Sequence, residues 1–289
     1  MSCCPCKGAI FSSFTRLNMQ SHFLNYRSSR FHYLFTGRGE RLLLCFHGYG
    51  ESGDSYTFLV EQLGDKFTLV AIDLPYHGKT EWKEASDFTP GILRDIIRQI
   101  ALEHQWKDED ICLIGFSMGG RIALQLVELL ADRISRLVLI APDGMRVNPW
   151  YWFATQTQAG NTLFRFTMNR PGWFLTVVRA GRILGLTNRS FYKFVCQSLG
   201  DKEARSELYL RWTCMRRFRP DLNKVKRLIL AHSIRVRFLY GKYDRVILPA
   251  RGERFCTGIQ QSATVLIIPA GHQILQERYL EDIVNLVID

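Results

Sequence analysis

A serine between two glycines, Gly115-Phe116-Ser117-Met118-Gly119, constrains this chain more than any other stretch. It follows an apolar run, Ile111-Cys112-Leu113-Ile114. It precedes a helical pattern over residues 121–130, with apolar side chains at Ile122, Leu124, Leu126, Val127 and Leu130. Strand, sharp turn and helix are the context in which G-x-S-x-G reads as a nucleophile elbow. Side chains at 115 and 119 would collide with backbone in so tight a turn, and glycine avoids the collision. Strain in the turn holds the Ser117 hydroxyl out toward a base and a substrate.

A serine hydroxyl is a weak nucleophile without a base, and the base needs an orienting acid. Around an elbow the expected chain order is Ser, then Asp or Glu, then His. The strand pattern over 235–240 ends in Gly241-Lys242-Tyr243-Asp244, and the strand pattern over 264–268 ends in Pro269-Ala270-Gly271-His272. Asp244 and His272 thus fall just past strand ends, on the side where open α/β sheets place their sites. Asp143, in Ala141-Pro142-Asp143-Gly144 after a strand over 136–140, is a competing acid. Roles and not positions define such a set, so both acids stay open, with Asp244 preferred.

The chemistry also needs two backbone N–H groups aimed at the developing oxyanion. Met118, directly after the serine, is one candidate. The second is Tyr49, in His47-Gly48-Tyr49-Gly50 after the strand over 41–46. The glycines on either side let backbone approach a substrate closely. His47 is read as a loop anchor, since His272 fills the role of base.

Together these residues resemble the α/β-hydrolase superfamily. The resemblance rests on the His47-Gly48-Tyr49-Gly50 loop, Asp73-Leu74-Pro75-Tyr76-His77-Gly78, the elbow, the Gly-Lys-Tyr-Asp turn and Gly271-His272, and spans residues 31–289. It implies a mostly parallel twisted β-sheet flanked by helices, with an inserted helical cap. It also implies a structural role for the 73–78 segment, so that His77 is not a catalytic candidate. The elbow with its arginine, Arg121, is similar to that of the menaquinone-pathway enzyme that eliminates pyruvate. Serine at 117 argues against members with an aspartate nucleophile, such as haloalkane dehalogenases and epoxide hydrolases.

Domain boundaries follow from charge and punctuation. The net charge is +11, but residues 145–227 carry 16 Lys+Arg against 4 Asp+Glu. Residues 1–39 add five bases and no acid, which leaves the remainder net acidic. We read residues 1–30 as a disordered N-terminal extension, 31–144 and 228–289 as the catalytic core, and 145–227 as a basic, aromatic cap. Pro142-Asp143-Gly144 and residues 220–226 are the hinges. Most of the cap's aromatic side chains are expected to pack, and its arginines to be solvated. The arginine excess has three further readings: a carboxylate- or phosphate-bearing substrate, peripheral contact with an anionic membrane, and nucleic acid. Nucleic acid ranks last, because no recognition module is visible.

Eight cysteines are scattered, with no secretory signal, which favours reduced thiols and a cytoplasmic setting. Cys45 and Cys112 fall in buried strands as small hydrophobes. Cys3, Cys4 and Cys6 crowd the first residues. They read as acylation sites on a membrane anchor, as part of a transit peptide, or as residues ahead of a start at Met19. Zinc spacing is absent, and no run of about 18 apolar residues suggests a membrane span.

The expected activity is hydrolysis of a carboxylic ester through an acyl-enzyme on Ser117, with no metal or organic cofactor. Two alternatives stand beside it. One is C–C hydrolysis or elimination from a carboxylate-bearing substrate on the same residues. The other is a hydrolase-like binding protein without activity.

Overall fold

In a computed structural model the chain is described over residues 18–288, apart from 86, 107–109, 147, 186–191, 193–194 and 196–198. The N-terminal cysteines lie outside the described residues. Among the described residues eight strands form one sheet: β1 (Gln20–Tyr26), β2 (Ser29–Thr36), β3 (Arg41–Phe46), β4 (Phe67–Ile72), β5 (Ile111–Phe116), β6 (Ile134–Ile140), β7 (Arg235–Gly241) and β8 (Ala263–Ile268). Their spatial order is β1-β2-β4-β3-β5-β6-β7-β8. β2 runs antiparallel to both its neighbours, and every other pair is parallel. β3, β4 and β5 are nearly continuous apolar runs and are almost wholly buried. That is the pattern of strands covered on both faces.

The sheet begins at Gln20, inside the segment that the sequence reading set apart as an extension. β1 is an edge strand whose full length pairs with β2. Its residues are mostly exposed, so it lacks the apolar run that marks the central strands.

Helices α1 (Val60–Leu63), α2 (Pro90–Glu103) and α3 (Met118–Leu130) precede β6. Between β6 and β7 come α4 (Pro149–Gln156), α5 (Gln158–Asn169), α6 (Gly172–Ile183), α7 (Lys202–Cys214) and α8 (Leu222–Ala231). After β7 come α9 (Ala250–Cys256) and α10 (Leu280–Ile288). α4 to α7 form a helical insertion between β6 and β7, the segment read from the sequence as a cap. It has a small apolar cluster of its own around Met168, Val178, Val195 and Leu199. Phe218, Val225 and Ile229 instead belong to the main core, so the chain rejoins the core ahead of the boundary read at 227. The cap is pinned there by Arg216 and Arg217, which both donate to Asp87 at 3.0 and 2.8 Å. Cys45, Cys112, Cys214 and Cys256 are buried free thiols.

Candidate active site

The elbow is the end of a central strand turned through a strained residue. Ser117 has φ 49° and ψ −112°, in the left-handed half of the map that non-glycine residues avoid. Hydrogen bonds hold it there. Ser117 N–H donates to Ile140 at 2.9 Å, and the Ser117 carbonyl accepts from Gly120 (3.0 Å) and Asp143 (2.8 Å). Glycine is required at 119, where a Cβ would run into the Phe46 carbonyl, and at 115, where it would meet the Gly119 carbonyl.

The acid and the base come from the next strands. β7 and β8 pair in register up to Gly241 and Ile268. Beyond them Lys242 N–H donates to Ile268 (2.8 Å) and Tyr243 N–H to Ala270 (2.9 Å). These bonds lay the 241–244 turn against the 269–272 turn. Asp244 is buried. One of its oxygens accepts from the N–H groups of Val246 (2.7 Å) and Ile247 (2.9 Å). The other lies 2.8 Å from His272 Nδ1. His272 Nε2 is 3.1 Å from Ser117 Oγ, and the ring lies 5.4 Å from Phe116. Ser117, His272 and Asp244 therefore form one hydrogen-bonded chain. In it a proton can pass from hydroxyl to imidazole while a buried carboxylate orients the ring.

Asp143 takes no part in this chain. Its carboxylate faces Arg121 at 3.6 Å and accepts from Gly144 N–H. Of the two acids open at the level of sequence, the structure brings only Asp244 to the histidine.

Met118 is the first residue of α3 and is buried. Helix-opening amides have no intrahelical acceptor. Tyr49 lies in the turn closed by Glu51 N–H donating to the Gly48 carbonyl (3.3 Å). Gly48 N–H in turn donates to the Glu51 carboxylate (3.2 Å). Burial pushes the Glu51 carboxyl above its usual range, against the pull of Gly48 N–H, Ser55 and nearby His272. The sequence reading passed over Glu51, which carries no motif signal beyond its place after the glycine-rich turn. It also missed Arg211 of α7, which donates to the Tyr76 carbonyl at 2.9 Å and lies 5.4 Å from the Tyr49 ring centroid. The cap thus reaches down onto the loop that carries Tyr49.

Two further histidines, His47 and His77, bond loop backbone. His47 is buried and accepts from Leu74 N–H through Nε2 (3.1 Å), so its Nδ1 carries the proton donated to the Gly48 carbonyl (2.8 Å). Burial lowers its pKa. His77 bonds the Pro75 carbonyl through Nδ1, and burial, with His47 beside it, pushes its pKa down to about 3.

A second Ser–His–Asp chain exists elsewhere. Ser21 Oγ is 2.7 Å from His32 Nε2, and His32 Nδ1 is 2.7 Å from Asp73. The serine lies in extended edge strand β1 and has no elbow. The Asp73 carboxylate also accepts from the N–H groups of Gly53 (2.7 Å) and Lys79 (2.8 Å). Burial works against its charge, but these bonds and His32 hold its pKa below the ordinary carboxylate range. This chain ties β2 to the loops after β3 and β4.

A family model described as alpha/beta hydrolase fold matches residues 41–279. The chain belongs to the α/β-hydrolase-fold family. An uncharacterized hydrolase of Bacillus subtilis is 23% identical over 246 residues, covering 84% of this chain and 88% of that one. A monoacylglycerol lipase of Mus musculus is 22% identical over 290 residues, covering 91% and 80%. Several other curated relatives of this α/β hydrolase are matched over less than half of their own length. Among solved structures, an esterase from Exiguobacterium antarcticum superposes with a TM-score of 0.62 at 16% identity, over 93% of this chain and 100% of that one. Family membership supports a hydrolytic enzyme. Among the described residues no helix is long and apolar enough to cross a membrane.

Proposed function

We propose that this α/β hydrolase is a serine esterase acting on a carboxylic ester through an acyl-enzyme. The observation that carries the reading is the unbroken chain from Ser117 at a strained elbow, through His272, to buried Asp244. Ser117 Oγ attacks the ester carbonyl as His272 Nε2 takes its proton. Asp244 holds the imidazole by Nδ1–H and stabilises the imidazolium. The N–H groups of Tyr49 and Met118 receive the oxyanion. The tetrahedral adduct collapses, and the leaving alcohol takes the proton from His272. Water, deprotonated by the same nitrogen, then releases the acid and restores Ser117. No step calls on a metal or an organic cofactor. The monoacylglycerol lipase among the similar proteins supports an ester substrate.

A second reading keeps the same residues but takes a carboxylate-bearing substrate, with C–C cleavage or elimination. It is favoured by Arg121, one turn into the elbow helix, whose buried Nε makes no hydrogen bond and whose Asp143 partner stands at 3.6 Å.

A fluorophosphonate probe on wild type and Ser117→Ala tests both, followed by turnover of p-nitrophenyl esters and of anionic ring substrates. Labelling lost in Ser117→Ala, with ester turnover, supports the esterase. Labelling with poor ester turnover and good turnover of anionic substrates favours the second reading. Well-folded wild type that neither labels nor turns over any substrate would leave a binding protein of the same fold.

A further inference from the structure

Helix α6 is apolar on two sides. Phe174, Leu175 and Val178 pack into the cap's own cluster with Met168, Val195 and Leu199. The opposite side is also apolar, and it is open. Trp173, Val177, Ile183 and Leu184 are 41%, 57%, 86% and 70% exposed. Trp173, Val177, Ala180 and Leu184 recur at the spacing of one helical stripe. A helix on the surface of a globular protein needs one apolar face, toward the core. A contiguous second one marks a surface that meets something.

Charge says what that surface meets. From residue 145 to 200 the chain carries seven Lys and Arg and no Asp or Glu. Arg179 and Arg182 stand exposed on α6 itself, and Arg165 and Arg170 are exposed just ahead of it. Arg182 instead lies on the packed side of the helix, 4.8 Å from the ring centroid of Tyr192, which packs on the cap's inner cluster. Ordinary soluble surfaces intersperse both signs. A tryptophan at one end, branched aliphatic residues along the stripe and an arginine, Arg179, on its flank are the composition of a helix lying in a lipid interface. Arginine stems cover apolar surface while their heads reach phosphates. No described helix is long enough to cross a bilayer, so the contact is peripheral.

We propose that α6 docks this protein on an anionic bilayer surface. Trp173, Val177, Ile183 and Leu184 enter the boundary between headgroups and acyl chains, and Arg179, on the flank of the stripe next to Ile183, engages lipid phosphates. The inference stands apart from the esterase reading, because none of these residues belongs to the Ser117 site.

The test is co-sedimentation of the full chain with vesicles of phosphatidylcholine alone and of phosphatidylcholine mixed with phosphatidylglycerol. Wild type should pellet with the mixed vesicles, weakly or not at all with neutral ones, and should release as salt is raised. Val177→Ser with Ile183→Ser should lower the partition coefficient by roughly tenfold or more. Arg179→Gln should lower it about fivefold, whereas Arg182→Gln, on the packed side of the helix, should leave it unchanged. These side chains are exposed, and circular dichroism verifies that the variants fold. The proposal falls if wild type stays in the supernatant with both vesicles or binds both equally. It also falls if the Val177/Ile183 variant pellets as well as wild type. A lipid-free dimer that this double variant dissolves would assign the face to a second copy of the chain and likewise overturn it.

Discussion

Asp143 and Arg121 face each other at 3.6 Å beside the elbow, and that pairing leaves Asp244 as the partner of His272. Asp244→Asn should lower the rate of serine-dependent turnover on the order of 10³–10⁴-fold, because the ring loses the acceptor that fixes its tautomer. Asp143→Asn should leave it within about threefold. Steady-state kinetics on the two variants decide the matter, and the reverse ranking would exchange the roles of the two acids.

Gly119 should tolerate no side chain. The Cβ of Gly119→Ala would meet the Phe46 carbonyl, which is backbone and cannot swing aside. The variant should lose about 1–3 kcal/mol of stability and its probe labelling. A Gly119→Ala protein that unfolds at the wild-type temperature and labels at the wild-type rate would contradict the packing of α3 on β3.

His77 makes stability depend on pH in a stated direction. Unfolded, it titrates near about 6.5; folded, burial keeps it neutral down to about 3. Between these values the unfolded chain holds more protons. The contribution is therefore present above pH ~6.5 and is lost as pH falls toward 3, by at most about 1.4 kcal/mol per pH unit. The lowered pKa of His47 acts in the same sense. Urea midpoints at neutral and mildly acidic pH should converge in His77→Gln relative to wild type. Identical pH slopes in the two proteins would remove His77 from the account.

Ser21 should be inert although its hydrogen bonds imitate those of Ser117. It lacks the elbow, and its histidine and aspartate are occupied in holding loops. Ser21→Ala should keep full labelling and turnover and lose about 1 kcal/mol or less. Loss of labelling in Ser21→Ala, with Ser117 intact, would reassign the nucleophile.

Arg211 should matter to the site from outside it. Arg211→Met removes the bond to the Tyr76 carbonyl and the contact over Tyr49. Probe labelling should slow by roughly tenfold, as expected when a substrate-positioning loop shifts. Arg211→Lys should recover only part, because lysine cannot present a planar fork over an aromatic ring. Unchanged labelling in Arg211→Met would mean that the Tyr49 loop needs no help from the cap.

The parts of this molecule legible in the sequence are those written locally. Ser117 and its glycines lie within five residues, and the apolar runs of β3 and β5 announce buried strands. Asp244 and His272 each follow a strand pattern. What escaped is written at long range or in weak patterns. Arg211 meets a carbonyl 135 residues away, and no local spacing signals that. His32 and Asp73, 41 residues apart, are joined only by the pairing of β2 with β4. β1 went unread because an edge strand with polar residues on both faces has no clear alternation. The cap's aromatic residues were expected mostly to pack, and Trp212 meets Tyr151 edge-on and Phe164 at a tilt. Trp150, Trp152, Phe153, Phe166 and Trp173 are exposed, while Phe191 and Phe194 lie outside the described residues. Composition alone could not separate the two groups, because packing decides which side of a helix is inside.

The Ser117 carbonyl accepts a hydrogen bond from Asp143, the residue at which the chain leaves the sheet for the cap. Ser117 and the root of the insertion are thus moored to one peptide. A cap that swung open by bending at Asp143 would tug on the strained serine and spoil its aim. A cap that lifted from its far end, around α5 and α6, would leave that mooring slack-free and the serine still. Of these two motions, only the second would leave the aim of Ser117 undisturbed.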